Sequence, residues 1–226
     1  MQLLANTTSP FVRIARVAMI EKGLQIEPTL VDPWADDARL RAANAATRVP
    51  TLVLDDGTAL TESLLIVQWL ELTRPAPNWP SLIGNDPASA VGVLSRAGIA
   101  LGAIDAAVHT IITRKVTAPV LFDETPVGLR RRRTMVEGLQ RLEALAAVLG
   151  GENSGDKHAG RPSIEPGGVA GSAAPTLDAI CAVVLFDYQQ LRYGDQPWLP
   201  KTPGLQALTQ ALRQRISFAS TMPHMA

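Results

Sequence analysis

The chain has few of the residues that build metal sites and covalent cross-links. Among its 226 residues Cys181 is the one cysteine, which excludes an intrachain disulfide framework and a cysteine-based zinc cluster. The three histidines, His109, His158 and His224, show no metal-ligand spacing. We therefore expect no metal centre. We expect Cys181, in an apolar helical stretch, to be a small core residue.

The chain also lacks an excess of charge and a long apolar run. It carries 21 basic and 21 acidic side chains, so net charge attracts neither nucleic acid nor a membrane surface. The four arginines from Arg130 to Arg133 fall in a predicted helix, which spreads consecutive side chains around its circumference. No segment reaches eighteen uninterrupted apolar residues, and no secretory signal begins the sequence. We expect a cytoplasmic protein that binds neither nucleic acid nor membrane.

The N-terminal part alternates short apolar runs with helical patterns. The predicted elements are a strand over 1–5, a helix over 10–22, a strand over 24–31, a helix over 38–46, strands over 51–54 and 58–60, and a helix from Ser63. Strand, helix and strand within about thirty residues predict a parallel βαβ unit. The whole order, β-α-β-α-β-β-α, is typical of a thioredoxin-like α/β domain.

The remainder of the chain predicts helices only. The proline-rich stretch 74–80 ends the preceding helix and predicts a linker over 77–87, between a domain at 1–76 and an all-α domain at 88–226. Helices are predicted over 88–116, 126–149, 176–193 and 204–215. Residues 150–174 are rich in glycine, serine and proline, which predicts a long mobile loop.

The stretch from Arg48 to Ser63 has two features that suit a peptide-like anion. Pro50 opens a strand without donating to the sheet. If the Val49–Pro50 bond is cis, the Val49 main chain turns outward to meet an extended ligand, but only about one X–Pro bond in twenty is cis. The helix start at Ser63 offers N–H groups and a positive dipole end, which favour a carboxylate. An ordinary hairpin followed by a helix would have the same pattern.

These motifs resemble the glutathione-binding half of a glutathione S-transferase. The resemblance rests on Val49-Pro50-Thr51-Leu52, the turn that follows, and Glu62-Ser63 opening a helix. The segment Thr8 to Arg13 matches the start of the same domain, and Pro175 to Ile180 is more weakly similar to the helical second domain. The resemblance implies a thioredoxin-like domain followed by an all-α domain. It also implies a homodimer, with glutathione as co-substrate and no other cofactor.

Ser9 precedes the first helix, where thioredoxin-like proteins carry their reactive group because the helix N-terminus stabilises negative charge. Positions 9–12 hold no cysteine, so the chain cannot exchange disulfides through its own residues there. A hydroxyl donating to a bound thiol would favour the thiolate. Similarity to members with Cys-Pro-Phe places Ser9 at the sulfur, and similarity to serine-type members places Thr8 there. We prefer Ser9 and keep Thr8 as the second candidate, and a plain helix cap is the simpler alternative for Ser9.

The resemblance also assigns the rest of the glutathione site. The Val49 main chain would pair with the cysteinyl part, while Glu62 and Ser63 would hold the ammonium and carboxylate of the γ-glutamyl end. Arg48 would meet the glycyl carboxylate and Trp34 would line that end, although a solvated arginine and a packing tryptophan are simpler alternatives. The predicted glutathione-binding set is Ser9, Trp34, Arg48, Val49, Pro50, Glu62 and Ser63.

The implied reaction is attack of the glutathione sulfur on a small hydrophobic electrophile, as in a glutathione transferase. The helical domain would supply an apolar pocket from the faces at 99–112 and 186–193. Two alternatives use the same glutathione site: glutathione-dependent peroxide or disulfide reduction, and a non-catalytic glutathione-binding interaction module. The sequence does not name the electrophile, because the pocket residues are generic apolar side chains.

Overall fold

The computed structural model describes residues 1–117, 122–151 and 173–224, which form two compact units. Of the described residues, the first unit contains 1–82, 173–174 and 213–224, and the second contains 83–117, 122–151 and 175–212. The predicted loop at 150–174 lies outside the described residues over 152–172. Its mobility stays a prediction.

The first unit is built on a four-stranded sheet with the strand order β2-β1-β3-β4. Its elements begin with β1 (Gln2–Ala5), α1 (Pro10–Glu21), β2 (Pro28–Leu30), α2 (Ala38–Ala43), β3 (Thr51–Val53), β4 (Ala59–Thr61) and α3 (Ser63–Thr73). Strand β1 pairs parallel with β2 and antiparallel with β3, and β3 pairs antiparallel with β4. The predicted thioredoxin-like α/β fold class is confirmed.

The second strand is shorter than the predicted range of 24–31. Gly23 has a φ of 70°, and the N–H of Leu24 donates to the carbonyl oxygen of Met19 at 2.8 Å. The chain therefore closes α1 with a left-handed glycine turn before it extends. Pairing with β1 starts only at Pro28, opposite Leu3.

The second unit is helical, as predicted. It contains α4 (Pro87–Thr117), a 3₁₀ turn at Phe122–Glu124, α5 (Pro126–Glu143), α6 (Ala146–Leu149), α7 (Leu177–Tyr193) and α8 (Pro203–Leu212). The predicted helix over 126–149 is thus two helices. Helix α4 packs against α5 and α7, and α7 is buried at nearly every position from Leu177 to Gln189.

Helix α4 is long and apolar enough to cross a membrane by length and composition alone, with an 18-residue window of mean hydropathy 1.6. In the structure, 39% of that window is buried. Arg96 on this helix lies 2.6 Å from a carboxylate oxygen of Asp178 on α7. A core helix passes the same test of length and hydropathy, so the pattern is weak evidence for a membrane span.

The C-terminal helix α9 (Ile216–Ala219) packs against α1 in the first unit, although the sequence placed residues 213–226 in the helical domain. Its anchor is a buried ion pair. The Arg215 guanidinium donates to both carboxylate oxygens of Glu21, at 2.9 and 2.7 Å, and the Ser217 hydroxyl donates to the same carboxylate. Arg13, also buried, donates from Nε to the Thr221 hydroxyl at 3.4 Å. These contacts explain why the tail joins the sheet domain.

The start of the predicted linker is packed as well. Lys22 is fully buried, and its ammonium lies 2.7 Å from Oε1 of Glu71 and donates to the Arg74 carbonyl at 2.9 Å. Glu71 also accepts the N–H of Leu82, which is itself fully buried. The first unit therefore extends through Leu82, where the sequence predicted a linker from residue 77.

Candidate active site

Three segments meet at one edge of the sheet in the first unit. Strands β1 and β4 are both antiparallel to β3, so they run in the same direction and end at the same edge. The register places Leu4 opposite Thr51 and Thr51 opposite Thr61. The end of β1, the start of β3 and the end of β4 therefore lie next to one another. This edge collects the loop at 6–9, the segment 48–50 and the pair Glu62-Ser63, and helices α1 and α3, which both begin there, pack together.

Ser9 occupies the N-cap position of α1. It is half-buried, and its Oγ accepts the main-chain N–H of Val12 at 3.3 Å. No described residue accepts a hydrogen bond from this hydroxyl. The side chain therefore caps the helix and keeps its proton for another acceptor, so the two predicted roles of Ser9 are compatible.

Thr8 is arranged differently. Its hydroxyl donates to Oδ1 of Asn6 at 2.8 Å, and its main-chain N–H donates to the same oxygen at 3.0 Å. The proton that a sulfur ligand would need is already used. The geometry thus favours Ser9 over Thr8, and it brings in Asn6, which sequence reasoning did not single out.

The segment before β3 presents an unused peptide. The Val49–Pro50 bond is cis, and neither the N–H nor the carbonyl oxygen of Val49 is hydrogen-bonded to any residue that the structure describes. Asn44 fixes the segment 48–51 through hydrogen bonds. Its Nδ2 donates to the Arg48 carbonyl and to the Thr51 hydroxyl, both at 3.1 Å, and that hydroxyl donates to the same carbonyl at 2.8 Å.

Asn44 supports the segment before β3, and the sequence reasoning missed it. Asn44 and Thr51 are 7% and 0% exposed, so their hydrogen bonds are shielded from water. The only signal in the sequence is an asparagine at the end of a short helix, four residues before Arg48, and such residues usually act as helix caps.

Helix α3 begins at Ser63, as predicted, and the residue before it is the cap. Glu62 is the N-cap, with a φ of 65°, and Ser63 is the first helical residue. Positive φ is uncommon outside glycine, and such residues cluster at functional sites. Ser63 is 4% exposed, yet its hydroxyl has no hydrogen-bond partner within the described part of the chain. Together with the first N–H groups of α3, it is a donor set for a carboxylate.

Arg48 and Trp34 lie on the surface of this edge. Nη1 of Arg48 is 3.6 Å from Oε1 of Glu62, and both side chains are more than half exposed. The sequence had assigned these two residues to opposite ends of the ligand. Trp34 is 60% exposed, so it is not a packing residue in this structure, and its main-chain N–H donates to Asp32 at 2.9 Å.

Part of each face predicted to form the electrophile pocket is buried in the core of the helical unit. Tyr193 is fully buried and donates its hydroxyl to the Ala107 carbonyl at 2.7 Å, and Tyr188 packs in the same cluster. Ile104 is also fully buried. An apolar stripe serves packing and ligand binding equally well, so the pocket stays a prediction for the partly exposed residues of these faces, such as Ile99, Ile112 and Leu191.

The remaining candidates have structural roles. Cys181 is fully buried, and burial raises the pKa of its thiol, with Asp178 adding to the effect. The expectation that it is a core residue is confirmed. Arg131 and Arg132 turn toward neighbouring groups, over the rings of Phe122 and Trp198 at 5.3 and 5.6 Å. Among the described residues, no group of three His, Cys, Asp or Glu side chains is arranged around a metal position.

Comparison with known proteins finds matches that include the residues at this edge. The family model described as "Glutathione S-transferase, N-terminal domain" matches residues 8–73, which include every residue of the predicted glutathione site. A glutathione S-transferase from Methylobacterium radiotolerans JCM 2831, solved in complex with glutathione sulfonate, is 29% identical. The two structures superpose with a TM-score of 0.79, and the match covers 100% of this chain and 95% of the relative. Residues 8–73 form a glutathione S-transferase N-terminal domain, and the whole chain is similar to proteins of that family.

Other glutathione S-transferase relatives match over the full length of the chain. A structure from Methylobacillus flagellatus KT with glutathione bound is 26% identical, with a TM-score of 0.77 and 99% coverage of both chains. The uncharacterized GST-like protein YibF of Escherichia coli K12 is 26% identical over 223 residues, covering 99% of this chain and 98% of the relative. These matches include the helical unit that the N-terminal family model leaves out.

Proposed function

We propose that this protein conjugates glutathione: the glutathione thiolate attacks a small hydrophobic electrophile. The observation that carries the proposal is the Ser9 hydroxyl, which caps α1 through its oxygen and donates its proton to no described residue. A sulfur placed beside it would accept that proton's hydrogen bond and face the positive end of the helix. The sulfur–carbon bond forms while the leaving group departs with its electron pair.

The energy available is sufficient for this role. A free thiol has a pKa of about 8.5 and is mostly protonated at neutral pH. One hydrogen bond to a charged group contributes about 1.5–3 kcal/mol, which corresponds to one to two units of pKa. Ser9 alone would thus raise the ionised fraction of a bound thiol at pH 7 from about 3% to about 25–75%.

The other groups at this edge would hold the tripeptide. We assign the unused N–H and carbonyl of Val49, next to Pro50, to the cysteinyl peptide of glutathione. The Ser63 hydroxyl and the first N–H groups of α3 would bind the γ-glutamyl carboxylate, and Glu62 would bind its ammonium group. We keep Arg48 and Trp34 as candidates for the glycyl end. Support comes from the relatives solved with glutathione or glutathione sulfonate.

We further propose that the protein is a cytoplasmic homodimer that detoxifies electrophiles. These statements rest on the family alone. Light scattering after gel filtration would test the dimer, since a mass near 24.1 kDa would contradict it.

One observation favours a second candidate, a glutathione-binding module without turnover. The residues predicted to line the electrophile pocket, such as Tyr193 and Ile104, are packed in the core of the helical unit. Glutathione-dependent peroxide or disulfide reduction would use the same thiolate site.

Calorimetry and product analysis on the full chain separate these functions. We expect glutathione to bind and 1-chloro-2,4-dinitrobenzene, or another electrophile of a broad panel, to be conjugated. Binding with no turnover on the panel would favour the binding module. Turnover of cumene hydroperoxide without conjugation would favour the reductase, and absence of glutathione binding would reject all three.

A further inference from the structure

A cavity of about 270 Å³ lies beside α1 in the first unit. Its walls come from the loop after β1, from α1, from β2 and from the C-terminal segment, and include Asn6, Thr7, Val12, Arg16, Leu30 and Met222. None of the residues predicted to bind glutathione lines it. The cavity therefore borders the candidate active site through the loop at 6–9 but is lined by different side chains from the predicted glutathione ligands.

Three hydrogen-bond donors on its walls are unused by the described residues. The first is the half-buried guanidinium of Arg16, which has no ion-pair or hydrogen-bond partner among them. The second is Nδ2 of Asn6, whose amide orientation is set because Oδ1 accepts both the N–H and the hydroxyl of Thr8. The third is the hydroxyl of Thr7. Of the described residues, no acidic side chain lines this cavity, whereas Arg16 and His224 do, so its walls favour an anion.

The positive charge of Arg16 is poorly compensated by the groups around it. Burial lowers the pKa of its guanidinium more than the charge of Glu27 raises it. A half-buried cation without a close counter-ion is unfavourable, and an anionic ligand would relieve this. Arg16 also lines a neighbouring cavity of about 250 Å³, but Glu27 lies on that wall and would repel an anion.

The rest of the cavity is apolar, with Val12, Leu30 and Met222 among its lining. Its volume is below the range of about 300–1,000 Å³ that is usual for drug-sized ligands, so the ligand is small. One guanidinium matches one negative charge. We propose that this cavity binds a small apolar monocarboxylate, with its carboxylate on Arg16, Asn6 and Thr7 and its body against Leu30 and Met222.

Benzoate is a suitable probe, with benzamide as the same shape without the charge. Calorimetry on the full chain should give saturable benzoate binding with a Kd on the order of 1 mM. Arg16→Met should weaken it at least about tenfold, because a charge-assisted hydrogen bond is lost. Arg41→Met removes an exposed arginine of α2 outside the cavity, and its affinity should equal that of the unmodified chain. Benzamide should bind at least about tenfold more weakly than benzoate.

A second variant covers the case in which Arg16→Met fails to fold, as judged by circular dichroism. Thr7→Val keeps the shape and should weaken benzoate about fivefold through one lost hydrogen bond. Equal benzoate affinity in every folded cavity variant, or no saturable binding up to the solubility limit, would overturn the proposal. Benzoate displacement by glutathione, or its loss in Ser63→Ala, would place the anion in the glutathione site and also overturn it.

Glutathione affinity measured in parallel separates this inference from the proposed function. Arg16→Met should leave glutathione binding unchanged. If the unmodified chain binds benzoate through Arg16 but not glutathione, the carboxylate site stands and the proposed function fails. The reverse result removes only the carboxylate site.

Discussion

The Oγ of Ser9 accepts the main-chain N–H of Val12 at 3.3 Å, so the side chain that caps α1 still has a proton to give. Its neighbour Thr8 has already given its hydroxyl proton to Asn6. This difference assigns the two candidate hydroxyls different chemistry, although both stand in the same loop.

Replacing Ser9 by alanine should lower turnover while leaving glutathione affinity largely intact. The expected loss at pH 7 is about 8- to 25-fold, which is the change in thiolate fraction when one charge-assisted hydrogen bond lowers a pKa of about 8.5 by one to two units. Steady-state kinetics with a responsive electrophile measure it. Thr8→Val is the matched control and should retain most activity. The opposite pattern, with Thr8→Val inactive and Ser9→Ala active, would transfer the role to Thr8.

The same substitution removes a helix cap, so its stability effect needs a separate control. Thr125 caps α5 in the second unit, with its Oγ1 accepting the N–H of Gly128 at 3.1 Å. Ser9→Ala and Thr125→Ala should each lower the free energy of unfolding by about 1 kcal/mol. Only Ser9→Ala should lower turnover. Equal losses of turnover in both variants would mean that stability, rather than the thiolate, explains the Ser9 effect.

Removing the Ser63 hydroxyl should act on affinity. Its side chain is 4% exposed and has no hydrogen-bond partner among the described residues, which leaves it for the γ-glutamyl carboxylate. Ser63→Ala should raise the glutathione Kd about tenfold or more, and adding Glu62→Ala should raise it further. Calorimetry measures both. Ser89→Ala, an exposed serine at the start of α4, is the control, and unchanged affinity in the double variant would reject the anchoring role.

Asn44→Ala should weaken glutathione binding, although the Asn44 side chain itself would not contact the ligand. The asparagine donates to Arg48 and Thr51 behind the Val49 peptide, so its loss frees the segment that would pair with the cysteinyl part. We expect the free energy of unfolding to fall by about 1–3 kcal/mol and KM for glutathione to rise more than kcat falls. Denaturant unfolding and kinetics measure these changes. A variant with lowered stability but unchanged KM would make Asn44 a purely structural residue.

The buried pair between Glu21 and Arg215 should be a main contributor to the docking of the C-terminal helix. Arg215→Met leaves a buried carboxylate without its bidentate partner, and the free energy of unfolding should fall by about 3–5 kcal/mol. Arg41→Met breaks an exposed pair with Asp36 and should change stability by less than about 1 kcal/mol. Similar effects of the two substitutions in denaturant unfolding would contradict the anchoring role of Arg215.

Local signals made much of this fold predictable. Pro10 at the start of α1, Gly23 after its end, and the Asp55-Asp56-Gly57 turn between β3 and β4 each act within a few residues. The site edge was predictable for the same reason, because Ser9 and Ser63 stand at the starts of helices that follow strands.

The contacts that depend on distant residues were not predictable. Glu21 and Arg215 are 194 positions apart, and neither has a local pattern that marks it as a partner. The sequence around Asn44 indicates only the end of a helix, and its hydrogen bonds to Arg48 and Thr51 form only once the segment is folded. The apolar face of α7 predicted burial correctly, but burial against α4 and exposure to a ligand have the same periodicity.

The ionisation of bound glutathione tests the central claim most directly. Ultraviolet difference titration of the thiolate should give a pKa one to two units below the free value of about 8.5 in the unmodified chain, and a value close to 8.5 in Ser9→Ala. A bound thiol that titrates near 8.5 in the unmodified chain, or one whose lowered pKa survives in Ser9→Ala, would contradict the role assigned to Ser9.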